Sequence, residues 1–313
     1  PPNTASSSPK SIPAPACHPR GGVIAVIFNP AARGEKARLL RRQLGSLGPG
    51  VLLRPTEGPG HAPILAAEAA AAGCHTVVAA GGDGTVSEVV NGLAPPGDRP
   101  TPVRLGVLPL GTINVFAREL DLPGNLPDAW EIIRRGHSRR LDLPRAEYAG
   151  GTRWFLQLAG AGLDSAAIAR VRWELKKRLG PLAYVWAGAQ ALHGPLPDVL
   201  ATCDGTRAHG RLVLVGNGRL YGGHWVVFPK ARMDDGRLDV AVVARVNWLS
   251  LARLALAAHR GRFPAGSAVR HLQGSSVELV PSAPLPFQLD GDNHGPLPVR
   301  FSLAPQALEV IVP

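Results

Sequence analysis

Ala79-Ala80-Gly81-Gly82-Asp83-Gly84-Thr85 decides the fold. Before it, His75-Thr76-Val77-Val78-Ala79-Ala80 is short, apolar and β-branched, which predicts a buried strand. After it, Val86 to Leu93 predicts a helix closed by Gly92. Thr85 and Glu88 have the spacing of a capping box, which places the helix start at Thr85. Three glycines therefore fall between the carboxyl end of a strand and the N-terminus of a helix. Bare backbone N–H groups can approach a phosphate there, and the helix dipole favours its charge. Asp83 adds a condition: a carboxylate among phosphates repels them unless a divalent cation or a proton transfer is involved. Taken alone, the stretch is equally compatible with a tight turn.

Working outward, Gly22 to Phe28 is a continuous apolar run suited to a central parallel strand. It is followed by the turn Asn29 to Gly34 and a basic helix from Glu35 to Leu47. Val51 to Arg54 predicts a strand, Thr56 to Ala62 a polar loop and Pro63 to Ala72 an Ala-rich helix. Arg104 to Leu108 predicts a fourth strand, ending in Pro109-Leu110-Gly111-Thr112. Thr112 is positioned to cap a helix from Ile113 to Leu120. Strands alternating with helices predict a parallel sheet whose ligands sit at the strand carboxyl ends. Four such ends carry Asn29, Thr56, Gly81 to Thr85, and Thr112, and these are expected to converge on one crevice. After Leu141-Asp142-Leu143-Pro144 the texture changes to short strands and Gly/Pro/Asp turns, which predicts an antiparallel β-sandwich. The predicted strands are 154–158, 199–203, 212–216, 238–243, 276–280 and 287–289. Helices are expected at about 165–192 and 248–260, and Leu308 to Val312 is a last strand able to return to the first domain. The expected division is a disordered tail over 1–20, an α/β domain over 21–141 and a β-rich domain over 142–313.

The 313 residues suffice for two cores, and a 45% apolar content marks a globular chain. The net charge of +11 suits an anionic partner. Aromatic residues make up 5% and no RNA-binding aromatic motif occurs, so nucleic acid is not expected. Cys17, Cys74 and Cys203 form no paired or zinc spacing, which suits a reducing compartment. No apolar run reaches the roughly 18–20 residues of a spanning helix, and residues 1–20 lack a signal-peptide core.

The ordered motifs resemble the diacylglycerol kinase catalytic superfamily, which includes soluble bacterial lipid kinases and the sphingosine and ceramide kinases. Phe28-Asn29-Pro30 with Gly34 resembles its NPxxG element, and Thr56 with Gly60-His61-Ala62 its TxxxGHA segment. Gly81 to Thr85 with Glu88 and Asn91-Gly92-Leu93 resembles GGDGTxxExxNGL. Pro109 to Thr112 with Asn114 and Phe116-Ala117-Arg118 resembles PLGTxNxFAR. Ala159 to Asp164, Leu179 to Tyr184, Asn217-Gly218 with Gly222-Gly223, Asp234 to Val240 and Leu289 to Asp292 match the later segments in order.

The resemblance implies a phosphofructokinase- or NAD-kinase-like N-terminal domain, a C-terminal β-sandwich, and transfer of the γ-phosphoryl group of ATP to a lipid hydroxyl with Mg²⁺. Gly81, Gly82, Asp83, Gly84, Thr85, Val86 and Ser87 are then expected to hold ATP phosphates, with Asp83 near the metal. Asn29, Thr56, Gly111 and Thr112 are expected to hold the rest of the nucleotide. Asp290 and Asp292 are the candidate bases. Asp235, with the carbonyls of Arg232 and Arg237, is the implied set for a second, structural Mg²⁺. Two departures stand out. Val115 occupies a position where the family often has Asp, and Asp292 replaces the family's Glu. Diacylglycerol is the expected acceptor, with ceramide, a long-chain base or another lipid as alternatives. An NAD kinase, a phosphofructokinase and a non-catalytic derivative of the fold are the rival readings. A bilayer substrate implies docking on an anionic membrane, on its cytoplasmic face. The basic residues Arg170, Arg172, Lys176, Lys177 and Arg178 beside Leu182 to Leu192, and the cluster Arg134, Arg135, Arg139 and Arg140, are the candidates for that contact.

Overall fold

The computed structural model describes residues 23–30, 39, 42–43, 47–48, 50–94, 99–101, 103–170, 191–192, 194, 196–264, 266 and 268–313. The expected tail, most of the helix over 35–47, and the whole segment over 171–190 with its basic and apolar residues lie outside these.

Strand β1 (Ile24–Phe28) is apolar throughout because both of its faces are covered. Ala25 and Ile27 enter one core, Val26 and Phe28 the opposite one. It is followed by β2 (Val51–Pro55), α1 (His61–Ala71), β3 (Thr76–Gly81), α2 (Asp83–Leu93), β4 (Arg104–Pro109), the short α3 (Val115–Glu119) and α4 (Leu126–Arg135). The four strands are parallel in the order β2-β1-β3-β4. Phe28 lies opposite both Pro55 and Ala80, and Gly81 lies opposite Pro109, so the carboxyl ends form one level edge. Helices α1 and α2 pack on one face of the sheet; Leu126, Ala129 and Ile133 of α4 pack on the other.

The second half contributes β5 (Ser138–Tyr148), β6 (Gly151–Trp154), β7 (Leu158–Gly162), α5 (Leu163–Arg170), β8 (Val199–Cys203), β9 (Thr206–Gly210), β10 (Leu212–Gly216), β11 (Leu220–Tyr221), β12 (Trp225–Val226), β13 (Leu238–Val243), α6 (Trp248–His259), β14 (Val269–Gly274), β15 (Ser276–Pro281), β16 (Pro286–Leu289), β17 (Asp292–Pro296) and β18 (Val299–Ile311). A six-stranded antiparallel sheet, β14-β13-β10-β7-β16-β17, faces the antiparallel strands β15, β8 and β9 across a core built on Phe155, Phe287 and Phe301.

One pair of long strands joins the halves. β5 runs antiparallel to β18 from Ser138↔Ile311 to Tyr148↔Val299. The end of β18 pairs in parallel with β4 (Val310↔Leu105), while its beginning pairs with β15. The expected domain boundary near residue 142 thus falls inside a continuous strand. Between Ala304 and Leu308 the register slips, and Asp142 lies opposite the slip. Its buried carboxylate accepts the Gln306 N–H at 2.8 Å and the Gly236 N–H at 2.7 Å. A charged side chain inside a strand is therefore the fastening of a bulge.

Several local expectations change. Helix α2 starts at Asp83, with Gly82 as its cap and no side-chain cap. Glu88 is drawn away from Thr85 by the Gly60 N–H, 3.3 Å from its carboxylate. Gly92 does not close that helix, which continues to Leu93; a β-carbon at 92 would lie 2.1 Å from the Pro63 carbonyl oxygen, so its glycine permits α1–α2 contact. Thr112 is exposed and caps nothing described; α3 starts after Asn114, which adopts φ 54°. The predicted strand over 154–158 is broken between Trp154 and Leu158, because the intervening N–H groups point to a side chain described below.

Candidate active site

The glycine turns after β3 and β4 touch. Leu110 N–H donates to the Gly81 carbonyl at 2.9 Å. A β-carbon built on Gly111 would lie 2.6 Å from Gly82 Cα, so the two backbones meet at a distance only glycine permits. Around Gly84 the space is open: a β-carbon there meets nothing within 4 Å. The site therefore has a closed floor, Gly82 against Gly111, and an open mouth at Gly84, where a helix begins. Asn29 and Gly84 are exposed, Thr56 is buried, and the Thr56 N–H donates to the Phe28 carbonyl at 2.9 Å. The level strand edge thus brings Asn29, Thr56, Gly81 to Ser87, Gly111 and Thr112 to one side of the sheet.

Asp83 reaches across this floor. One oxygen accepts the Phe116 N–H at 3.2 Å, and so completes the first turn of α3. Nearby, the Asn114 amide donates to the Gly111 carbonyl at 2.8 Å, while its buried Oδ1 has no hydrogen-bond partner among the described residues. A carboxylate and an unsatisfied amide oxygen form a hard-oxygen donor set, which fits a phosphate-bound Mg²⁺. Val115 adds no oxygen to it.

From the other half, Asp290 approaches the same place. Its Oδ2 accepts the Leu156 N–H at 2.8 Å; its Oδ1 accepts Gln157 at 2.9 Å and Leu158 at 3.1 Å. This side chain breaks the predicted strand. Desolvation is the largest influence on the carboxyl and raises its pKa to about 6; the three N–H bonds oppose the rise, and the charge of Asp83 adds to it. That coupling places the two acids of the GGDG and LDGD elements within electrostatic reach. Asp292 is exposed at the start of β17 and pairs across the turn with Leu289.

Further residues complete the junction without having been singled out. The buried Glu119, at the end of α3, accepts from Gln157 Nε2 at 2.7 Å, Arg219 Nε at 2.7 Å, and the backbone N–H groups of Arg219 and Leu220 at 2.9 Å each. Asn91 grips Trp154 through both backbone groups, at 2.9 and 3.0 Å. Asp164 is buried between Tyr221, whose hydroxyl is 2.5 Å away, and Gln288, at 2.8 Å. Burial raises its carboxyl pKa, against the pull of those two bonds. Motif membership marked Asn91 and Asp164; only their distant partners reveal what they hold.

At the Asp234-Asp235-Gly236 turn, Asp234 is taken by Arg139 at 2.8 Å and Arg232 at 3.2 Å. Burial tends to raise its pKa, but those guanidinium bonds outweigh it and hold the carboxyl below its ordinary range. Asp235 is exposed, and one of its oxygens accepts the Arg237 N–H at 3.1 Å. Asp239 is raised to about 6 by desolvation first and by the Asp235 charge second. Among the described residues no group of three or more His, Cys, Asp or Glu side chains is placed to hold a metal. Any ion at this turn therefore depends on backbone carbonyls for most of its ligands. The cluster Arg134, Arg135, Arg139 and Arg140 is internally paired: the first two face Glu131, Arg139 faces Asp234, and Arg140 faces Glu309.

Residues 23–146 match the sequence profile of the diacylglycerol kinase catalytic domain, and residues 158–312 that of the YegS C-terminal NAD kinase beta sandwich-like domain. The chain is 31% identical over 302 residues to a diacylglycerol kinase of Staphylococcus carnosus, covering 92% of this chain and 94% of that one. The chain belongs to the diacylglycerol kinase family. A diacylglycerol kinase of Staphylococcus aureus is 29% identical over 302 residues, covering 92% of this chain and 91% of its own. A crystal structure of a putative diacylglycerol kinase from Bacillus anthracis superposes with a TM-score of 0.76 at 26% identity, over 93% of this chain and 97% of that one. The lipid-kinase reading of the motifs thus holds over the length of the chain, and both halves of the expected fold are present. No helix among the described residues is long and apolar enough to cross a membrane.

Proposed function

We propose that this member of the diacylglycerol kinase family transfers the γ-phosphoryl group of ATP to the free hydroxyl of diacylglycerol, giving phosphatidic acid, at the cytoplasmic face of a membrane. The observation that carries the reading is the apposition of Gly82 and Gly111 beside Asp83, with Asp290 brought to the same cleft from the other half. The free N–H groups at the start of α2, from Asp83 to Thr85, cradle the phosphates, while the expected Val86 N–H is taken by the Gly82 carbonyl at 3.1 Å and Ser87 follows it inside the helix. Asn29, Thr56, Gly111 and Thr112 border the remainder of the nucleotide. Asp83, with Asn114 Oδ1, would hold Mg²⁺, which would neutralise the phosphate charge there.

Asp292 takes the proton from the acceptor hydroxyl, because its carboxylate is exposed two residues beyond Asp290 while both oxygens of Asp290 are engaged by backbone N–H groups. Asp290 then orients the LDGD turn and fixes the 156–158 segment beneath it. Asp235, with the Arg232 and Arg237 carbonyls, is the set for a second Mg²⁺ with a structural role.

The test is incubation with labelled ATP, Mg²⁺ and diacylglycerol in mixed micelles, followed by lipid chromatography. A labelled phosphatidic acid band is expected, lost with Asp83→Ala and reduced by about 10²–10³ with Asp292→Asn. A protein that binds ATP yet labels ceramide or a long-chain base instead moves the acceptor. One that labels no lipid overturns the reading.

A further inference from the structure

Between Asp239 and Glu278 the sequence has no acidic residue and five arginines, Arg245, Arg253, Arg260, Arg262 and Arg270. Helix α6 lies in this stretch. Leu254 and Ala258 bury its inner face against the outer side of the six-stranded sheet. Its outer face is apolar too: Trp248 is 52% exposed, Leu249 60% and Leu256 49%. These are half of the six large exposed hydrophobic residues among the described ones, gathered on one helix. Leu249 and Leu256, seven residues apart, lie about 20° apart around the axis, and Arg253 and Arg260 follow about 40° further round. A surface helix ordinarily turns polar side chains to water. This one turns leucines outward with a basic border.

The face is also close to the cleft. The His259 ring lies 5.8 Å from that of His224, at the tip of the β11–β12 hairpin. In the same tip, a β-carbon at Gly223 would lie 3.1 Å from Ile113, the neighbour of Thr112. One hairpin therefore separates the apolar stripe from the glycine floor.

We propose that this face of α6 docks on an anionic phospholipid bilayer, with Leu249 and Leu256 entering the interface and Arg253, Arg260 and Arg262 meeting lipid phosphates. Apolar side chains beside arginines suit such a surface. A second copy of the chain is a poor occupant, since an isologous contact would set the same arginines against each other. Nucleic acid would leave the leucines without a counterpart. The proposal rests on the lipid-kinase reading for its purpose, which is to bring the cleft to an acceptor held in a bilayer.

The test is flotation with phosphatidylcholine vesicles, with and without phosphatidylglycerol. The wild-type protein is expected to bind the anionic vesicles and to be released by salt. The pair Leu249→Asp with Leu256→Asp should weaken binding about 100-fold, about ten-fold per leucine. Arg253→Glu with Arg260→Glu should weaken it at least about 25-fold, from about five-fold per arginine. Ile64→Asp, at another exposed apolar side chain, should leave it unchanged. Unaltered melting temperatures report that the variants fold. Turnover of a monomeric short-chain diacylglycerol should persist in every variant, while turnover of long-chain diacylglycerol in vesicles falls with binding. Undiminished vesicle binding by both double variants overturns the proposal. So does a wild-type dimer that Leu249→Asp dissociates, which would give the face to a second copy. If the kinase reading alone is wrong, neither acceptor turns over, yet flotation still reports on the face.

Discussion

The edge of the parallel sheet and the junction with the second half form one cleft by opposite means. At the edge, nothing larger than hydrogen separates Gly82 from Gly111, and the geometry follows from backbone meeting backbone. At the junction, carboxylates reach across and collect backbone N–H groups: Glu119 from 219 and 220, Asp290 from 156, 157 and 158, Asp142 from 236 and 306. The first device leaves room for phosphate. The second spends negative charge on holding the halves together, and keeps that charge close to where phosphates bind. Asp290 shows the tension, since burial first and the Asp83 charge after it push its proton affinity up.

The junction should be the costlier to break. Glu119→Ala strips the acceptor from Gln157, Arg219 and two backbone N–H groups at once. With each orphaned buried donor costing about 1–3 kcal/mol, and the half-exposed Arg219 able to find water, a loss of about 3 kcal/mol is expected. Denaturant unfolding measures it. A loss below about 1 kcal/mol would mean that the halves are held elsewhere. Gly111→Ala attacks the edge instead. Its new methyl must displace Gly82, at a cost of about 1–3 kcal/mol, and ATP affinity should fall by at least about ten-fold. Unchanged ATP binding in calorimetry would show that the glycine floor is not part of the nucleotide site.

The edge could be read in the sequence because each part of it is local. Strand, glycines and helix follow one another within Thr76 to Leu93, and β-branched runs bounded by glycine mark parallel strands. Even so, the capping pattern Thr85–Glu88 misled by two residues, since Glu88 had a partner 28 positions away. The junction was legible only as motifs. Nothing in the neighbourhood of Glu119 predicts a contact 100 residues on, and nothing near Leu156 announces that Asp290 will take its N–H. The long strands β5 and β18 hid for a related reason. Prolines are ordinarily kept out of central strands, and Pro144 lies inside one and Pro305 inside the other, Pro305 at the register slip, where no ladder hydrogen bond is required.

A pH series sharpens the role of Asp290. Its carboxyl is raised to about 6, so the native state holds a proton that the unfolded chain gives up at lower pH. The stability it contributes is therefore present at low pH and declines as pH rises through the window from the ordinary carboxylate range to about 6. Asp290→Asn, which replaces one acceptor with a donor facing an N–H, should cost about 1–2 kcal/mol near neutrality. The wild-type advantage over it should be larger near pH 4 than near pH 7. An advantage that grows with pH would reverse the sign and place Asp290 among the carboxylates stabilised by their partners.

The smallest expected change in stability separates what the fold needs from what the chemistry needs. Gly84 has no neighbour that a β-carbon would touch, lies inside α2, and is not held at a positive φ. The fold gives no reason for glycine there. Alanine should stabilise the helix by up to about 1 kcal/mol, because it loses less backbone freedom on folding. If the open mouth at Gly84 is where phosphates approach the backbone, the same methyl should obstruct them, and the ATP dissociation constant should rise while the melting temperature rises too. The two shifts have opposite meanings for the protein, and no loss of structure produces both. A variant that is more stable and binds ATP as before would remove Gly84 from the phosphate cradle and leave the site to Gly82, Asp83 and Gly111.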